Sequence, residues 1–275
     1  MFKKILSSIE YLIKKYDGKI KYLDKVFFFT SLRKNNLDID IKYNQIELNK
    51  IGINLEEIFD FLKDYKIDYK DENLSWHYLI FAGLKLKFAK EKKKLNKILE
   101  IGTFNGEFTN FLSKIFPEAE IFTIDLEKKD NQFLNTYDRD KKDKLDIFFK
   151  VRKKNLSKKN IKFCELNSFY LQDKFKDEKF DIIWIDGNHI NPQVSFDIFQ
   201  SLKLVNFGGV ICVDDVIIQD EFYKKKYVSN ESYKTLEYLS KIDIIKNFYI
   251  IKRIRRFYKK EKKYISISFI NDQKN

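Results

Sequence analysis

The stretch Ile98-Leu-Glu-Ile-Gly-Thr-Phe-Asn-Gly106 decides how the chain is to be read. An apolar run stops on two glycines four residues apart, in a chain with only 8 glycines among 275 residues. Glycine used this sparingly marks places where the backbone must turn tightly or come close to a ligand. Two more strings repeat the pattern. Asp186-Gly-Asn-His189 follows the run Phe180-Asp-Ile-Ile-Trp-Ile185, and Gly208-Gly209 precedes Val210-Ile-Cys-Val213, which ends on Asp214-Asp215.

Working outward, Ile121-Phe-Thr-Ile124 and Ile161-Lys-Phe-Cys164 complete a set of five short apolar runs separated by helical segments. That alternation predicts a parallel sheet covered on both faces. Asn191-Pro192 reads as a helix start directly after the fourth run. The lysine-rich segment 127–160 reads as a helix within an insertion. After Asp215 come a helix near 229–241 and two β-like runs, Phe248-Tyr-Ile-Ile251 and Tyr264-Ile-Ser-Ile-Ser-Phe269. The predicted fold class is therefore α/β: a doubly wound, mostly parallel seven-stranded sheet with an antiparallel C-terminal edge strand.

Upstream, residues 2–16 carry apolar side chains at helical spacing and predict an amphipathic helix that docks on its own domain or a second subunit. Ile39, Ile41 and Tyr43 alternate with polar residues and predict a short strand. Asn54 with Glu57 has the form of a capping box opening a helix through Tyr65, and another helix is predicted over about 74–90. Residues 1–90 thus read as a mainly helical N-terminal extension for substrate or subunit contacts, homo-oligomer formation included, and 91–275 as the main domain.

Hydrophobic content of 44% with 16% aromatics supports a packed core rather than disorder. Lys+Arg 54 against Asp+Glu 41 gives a formal +13. Lys, Ile, Asn and Phe are over-used throughout, so this charge reads mostly as solvated surface rather than as a nucleic-acid footprint. Cys164 and Cys212 sit in separate strand-like runs without metal spacing and read as structural thiols in a reducing setting. No apolar run approaches the ~20 residues that cross a bilayer. The first ten residues lack a secretory pattern, so the expected location is cytoplasmic.

In an open α/β sheet, ligands bind beyond the C-terminal strand ends, where all three glycine strings map. The spacing G-x-x-x-G is not the dinucleotide fingerprint G-x-G-x-x-G. Glu100 would repel a pyrophosphate yet suits the ammonium of an amino-acid moiety. Asp125, about twenty residues beyond the turn, is placed to accept both ribose hydroxyls. Asp186, Asp214 and Asp215 converge on one rim, where three anions call for a hard cation such as Mg²⁺; the alternative is that they only cap loops. His189 is the candidate proton acceptor. His77 reads as a packed or surface helical residue without chemistry.

These residues resemble the class I S-adenosylmethionine-dependent methyltransferases over roughly 95–220. Glu100-Ile-Gly-Thr-Phe-Asn-Gly106 is similar to the first motif of catechol-type O-methyltransferases, which also lack the middle glycine. Asp186-x-x-His189 with Asp214-Asp215 resembles the metal-dependent sugar O-methyltransferases of macrolide pathways, since catechol-type enzymes carry Asp-Asn at the last pair. The resemblance implies a Rossmann-like methyltransferase domain over 91–275. It implies that Glu100, Gly102, Thr103, Asn105, Gly106 and Asp186 hold the methionine part of S-adenosylmethionine, with Asp125 at the ribose and Asn167 and Ser168 beside the adenine. It further implies Mg²⁺ on Asp186, Asp214 and Asp215, His189 and Asp186 as catalytic residues, and a hydroxyl of a small or glycosyl acceptor as the methyl's destination. Two rivals stay open. One is a nucleic-acid methyltransferase or binder using the basic run 252–263, where aromatic interleaving is limited to Phe257 and Tyr258. The other is a noncatalytic member of the fold.

Overall fold

The computed structural model describes residues 33–65, 67, 73–136, 141–218, 229–258 and 262–271. The helix expected over 2–16 lies outside them. Among the described residues three helices come first: α1 (Leu37–Lys50), α2 (Leu55–Leu62) and α3 (His77–Lys90). Then strand and helix alternate: β1 (Lys97–Ile101), α4 (Glu107–Ile115), β2 (Glu120–Asp125), α5 (Asn131–Leu134), α6 (Lys142–Asn155), β3 (Ile161–Glu165), α7 (Leu171–Phe175), β4 (Phe180–Ile185), α8 (Gln193–Leu204) and β5 (Val205–Val216). The chain closes with α9 (Glu231–Lys241), β6 (Ile245–Ile251) and β7 (Tyr264–Ile270).

The seven strands lie in the order β3-β2-β1-β4-β5-β7-β6. β3, β2, β1, β4 and β5 pair in parallel, while β7 runs antiparallel to both β5 and β6. The doubly wound, mostly parallel sheet expected from the runs is what forms. The strand of reversed direction, β7, sits one place inside the edge, and β6 takes the edge itself.

Period-two alternation explains why both faces are covered. Ile98, Ile121, Ile182, Trp184, Val210 and Cys212 point into a core shared with α1–α4. Leu99, Ile124, Ile183, Ile185, Ile211 and Val213 point into a second core under α7, α8 and α9. The helices before residue 91 share the first core with the sheet, through Leu48, Ile58, Leu79 and Phe81.

The capping reading of Asn54 holds: its side chain accepts from the N–H groups of Glu56 and Glu57. The strand expected at Ile39–Tyr43 does not form; these residues are helical. Asn36 caps that helix, and its inward residues are Asp40, Asn44 and Leu48, at i, i+4 and i+8. Ile39 and Ile41 face outward. The buried face is polar because Asn44 completes a strand edge: its amide donates to the Ile251 carbonyl (3.0 Å) and accepts from the Ile251 N–H (2.7 Å). A hydrophobicity pattern reads such a helix backwards.

Candidate active site

The turn after β1 is fastened to β2. The N–H groups of Gly102 and Thr103 both donate to the Ile124 carbonyl, at 2.9 and 3.0 Å. Gly102 has φ +105, and a Cβ there would meet the Asp186 carbonyl oxygen at 2.2 Å. The Asp186 N–H in turn donates to the Ile101 carbonyl at 2.8 Å. Glycine at 102 is therefore what lets the end of β4 lie against the end of β1. Gly106, at φ +74, opens α4, and the Asn105 side chain accepts from the Glu107 N–H.

Glu100 is 1% exposed. Its Oε2 accepts from the hydroxyls of Thr109 and Thr123, each at 2.5 Å. Burial pushes its carboxyl up to about 8 against the pull of those two hydroxyls. Thr103 bonds Thr123 hydroxyl to hydroxyl at 2.7 Å, so its contribution is to the network behind Glu100.

A cavity of about 420 Å³ opens at these strand ends. Glu100, Gly102, Thr103, Asn105 and Asp186, from the ends of β1 and β4 and the turn after β1, line it together with Ser75, His77, Tyr78, Phe108 and Arg253. The proposed methionine-side residues, apart from Gly106, thus share one wall. Asp125, Asn167 and Ser168 stand outside that lining. Asp125 is ion-paired with Arg152 of α6 and also accepts from the Phe104 and Leu126 N–H groups. Asn167 accepts from the Phe169 N–H, and the Ser168 hydroxyl accepts from Gln193 of α8.

The acids of the second and third strings do converge. Single ligand atoms of Asp186, His189 and Asp214 lie within 4.8 Å of one another. His189 Nε2 is 3.5 Å from Asp186 and 3.9 Å from Asp215. On a regular strand Asp214 and Asp215 would face opposite sides of the sheet. The register between β5 and β7 shifts between Val213 and Val216, and Asp215 adopts φ +52. This bulge turns both carboxylates to the same cation, and the cation is Lys252. Its Nζ bonds Asp214 Oδ2 and, at 2.6 Å, Asp215 Oδ1; Lys263 Nζ bonds Asp215 Oδ2.

The charges are settled by these contacts. Burial alone would raise Asp214 and Asp215, but the Lys252 ammonium overrides it and holds both carboxyls below the usual range. Asp186 has no lysine of its own; burial and the Asp214 charge push it up to about 7. Burial would lower His189, yet Asp186 and Asp215 raise it.

The donor chemistry around the expected Mg²⁺ set, Asp186, Asp214 and Asp215, is dominated by the lysines. Three of the four oxygens of Asp214 and Asp215 already lie on ammonium groups, and Asp214 is 1% exposed. Asp214 Oδ1 alone is left without a partner, beside Asp186 and His189; Mg²⁺ demands near-octahedral oxygen ligands and retains several waters, and two carboxylate oxygens with an imidazole nitrogen are a poor fit to it.

Sequence reading missed the lysines because it treated 252–263 as one basic face. Lys252 and Lys263 turn inward to the acids, and Lys262 pairs with buried Asp40. The only signal was position: two lysines flanking a connection between β-like runs. Arg152 was hidden in the lysine-rich insertion. His77, read as packed or surface helical, is half-buried at the cavity wall against Tyr78, Phe108 and Trp184, with both ring nitrogens covered and unpartnered. Cys212 is buried as expected and Cys164 is half-buried; both are free. Among the described residues no helix is long and apolar enough to cross a membrane.

Residues 99–216 match the family model described as a methyltransferase domain. No curated protein matches the chain. Among solved structures, the chain is similar to a Staphylococcus aureus protein assigned as a caffeoyl-CoA O-methyltransferase, with 15% identity over 79% of this chain and 92% of that one and a TM-score of 0.51. It is also similar to the O-methyltransferase TomG from Streptomyces achromogenes in complex with S-adenosylmethionine, with 15% identity over 85% of this chain and 99% of that one and a TM-score of 0.51. At such identity the structures establish the fold, which is the class I methyltransferase fold recognised in the sequence. The stretch matched by the family model, residues 99–216, includes the strand ends that carry the cavity.

Proposed function

We propose that this methyltransferase domain moves a methyl group from S-adenosylmethionine to a hydroxyl of a small-molecule or glycosyl acceptor. One observation carries the reading: an ammonium-binding acid, a bare-backbone turn and a proton-accepting carboxyl, namely Glu100, Gly102 and Asp186, share the wall of one cavity. When bound, the cofactor supplies an activated methyl group, so the protein's task is alignment and proton removal.

Glu100 offers a carboxyl that ionises on meeting an ammonium group. Gly102 lets Asp186 stand beside that anchor. Asp186 then receives the hydroxyl proton as the acceptor oxygen gains the methyl, while the carbon–sulfur bond breaks with its electron pair left on sulfur. A carboxyl pushed up to about 7 is matched to that role near neutral pH. His189, 3.5 Å behind it, fixes its orientation and shares the proton. Acceptor choice falls to Ser75, His77, Tyr78 and Arg253, the lining residues from outside the strand ends. No step passes through a divalent ion. Two free cysteines suit a reducing, cytoplasmic setting.

The test is calorimetric titration with S-adenosylmethionine, followed by methyl transfer to a panel of glycosyl and small hydroxyl acceptors. Stoichiometric binding that Glu100→Gln weakens, together with methylated product, supports the reading. Absence of binding would return the chain to the noncatalytic alternative. RNA methylation that falls steeply with salt would favour the nucleic-acid one.

A further inference from the structure

We propose that Lys252, seconded by Lys263, is the resident cation of this site, so that methyl transfer here proceeds without a divalent metal. The inference rests on the transferase reading for its catalytic half only. Lys252 is 7% exposed, and its backbone is held on both sides. Its N–H donates to the Lys263 carbonyl at 2.8 Å, and its own carbonyl accepts from the Trp76 N–H at 2.7 Å. This is not a surface lysine that happens to reach an acid. The connection between β6 and β7 delivers both ammonium groups to a bulge that has turned two consecutive carboxylates toward them.

The charge balance leads to the same place. Asp186, Asp214 and Asp215 carry three negative charges when ionised, and the two lysines return two positive ones. A divalent ion would find only Asp186, His189 and the unpartnered Asp214 Oδ1 to meet it, because the other three oxygens of Asp214 and Asp215 lie on ammonium groups. Acids held this deep and left with neither cation would be strongly destabilised. Lys252 also has an ammonium proton with no partner among the described residues after Asp214 and Asp215 are served. Lys252 is thus a positioning residue: it fixes the acids behind Asp186 and keeps Asp186 as the member of the cluster able to take a proton.

Mn²⁺ serves as the probe, read by electron paramagnetic resonance on the whole chain. The wild type is expected to leave the signal of the free ion unchanged. Lys252→Met, which frees Asp214, is expected to take the ion up, and Asp214→Asn in that background to release it. Uptake by the wild type, or none by folded Lys252→Met, overturns the inference. Should Lys252→Met not fold, the wild-type measurement still decides. This readout needs neither methyl donor nor acceptor, so it stands even if the transferase reading fails. Where turnover is found, it should survive EDTA in the wild type and fall about 10²–10³-fold in Lys252→Met, with donor affinity kept. Loss of wild-type turnover in EDTA overturns the proposal.

Discussion

Gly102 and Asp186 meet backbone to backbone: the space a Cβ at 102 would occupy is filled, at 2.2 Å, by the Asp186 carbonyl oxygen. Gly102→Ala therefore carries two penalties, a positive φ that costs about 1–3 kcal/mol and a collision with an atom that cannot rotate away. The variant should lose stability by at least that amount in urea unfolding, and calorimetry should show donor binding lost with it. Gly208→Ala is the control for the collision, because it shares a positive φ (+64) while its Cβ would meet only the tip of Lys93.

Glu100 ties the site to pH. Its carboxyl moves from an ordinary 4.5 to about 8 on burial. The folded chain keeps a proton that the unfolded chain gives up between those values, so this residue's contribution to stability falls as pH rises from about 4.5 to about 8. The unliganded wild type should lose melting temperature over that window more than Glu100→Gln does. Donor binding at pH 7 should release a proton, seen as a binding heat that varies with the buffer's ionisation enthalpy.

His77 titrates in the opposite sense. Burial lowers it from 6.5 to about 3. Its stabilising contribution is whole above about pH 6.5 and is lost as pH falls toward 3. His77→Phe removes two unpartnered ring nitrogens from an aromatic nest. Denaturant unfolding should show it about 1–3 kcal/mol more stable at neutral pH, with a flatter acid limb.

Arg152 holds Asp125 from inside a cage of Phe133, Phe148 and Phe163. Its side chain is 4% exposed and that of Asp125 14%, so Arg152→Met leaves a largely covered carboxylate with only the Phe104 and Leu126 N–H groups beside it. The expected loss is about 3–5 kcal/mol in chemical unfolding. Asp125→Asn in the Arg152→Met background should recover part of it.

Asp186→Asn should lower turnover about 10²–10⁴-fold while melting temperature stays near that of the wild type. His189→Gln should cost less, because it removes the orienting partner and leaves the proton acceptor. Equal losses in the two variants would assign the proton to the imidazole instead.

The sheet and three of the strings were legible in the sequence because each strand is a short β-branched run ending on a small residue or an acid. Glu100, Gly102 and Asp186 could be placed at one crevice on topology alone. The turn of Asp214 and Asp215 to one side could not, since it depends on a bulge set by the register with β7. Lys252 and Lys263 stayed hidden for a related reason: in a chain with 54 basic residues, an inward lysine looks like all the others until its partner strand is known. The helix at Leu37–Lys50 was misread because its buried face is made of Asp40 and Asn44, polar groups that earn their place only by bonding distant backbone and Lys262.

β7 is last in the chain yet lies between β5 and β6. During synthesis the earlier strands must wait with a slot open, and Asp214 and Asp215 wait uncompensated beside it. The lysine that quiets them arrives just after β6, and its neighbour in the site only with the approach to β7. A polypeptide halted at residue 250 would thus hold every sheet-strand residue that lines the cavity and still lack both ammonium groups that neutralise Asp214 and Asp215.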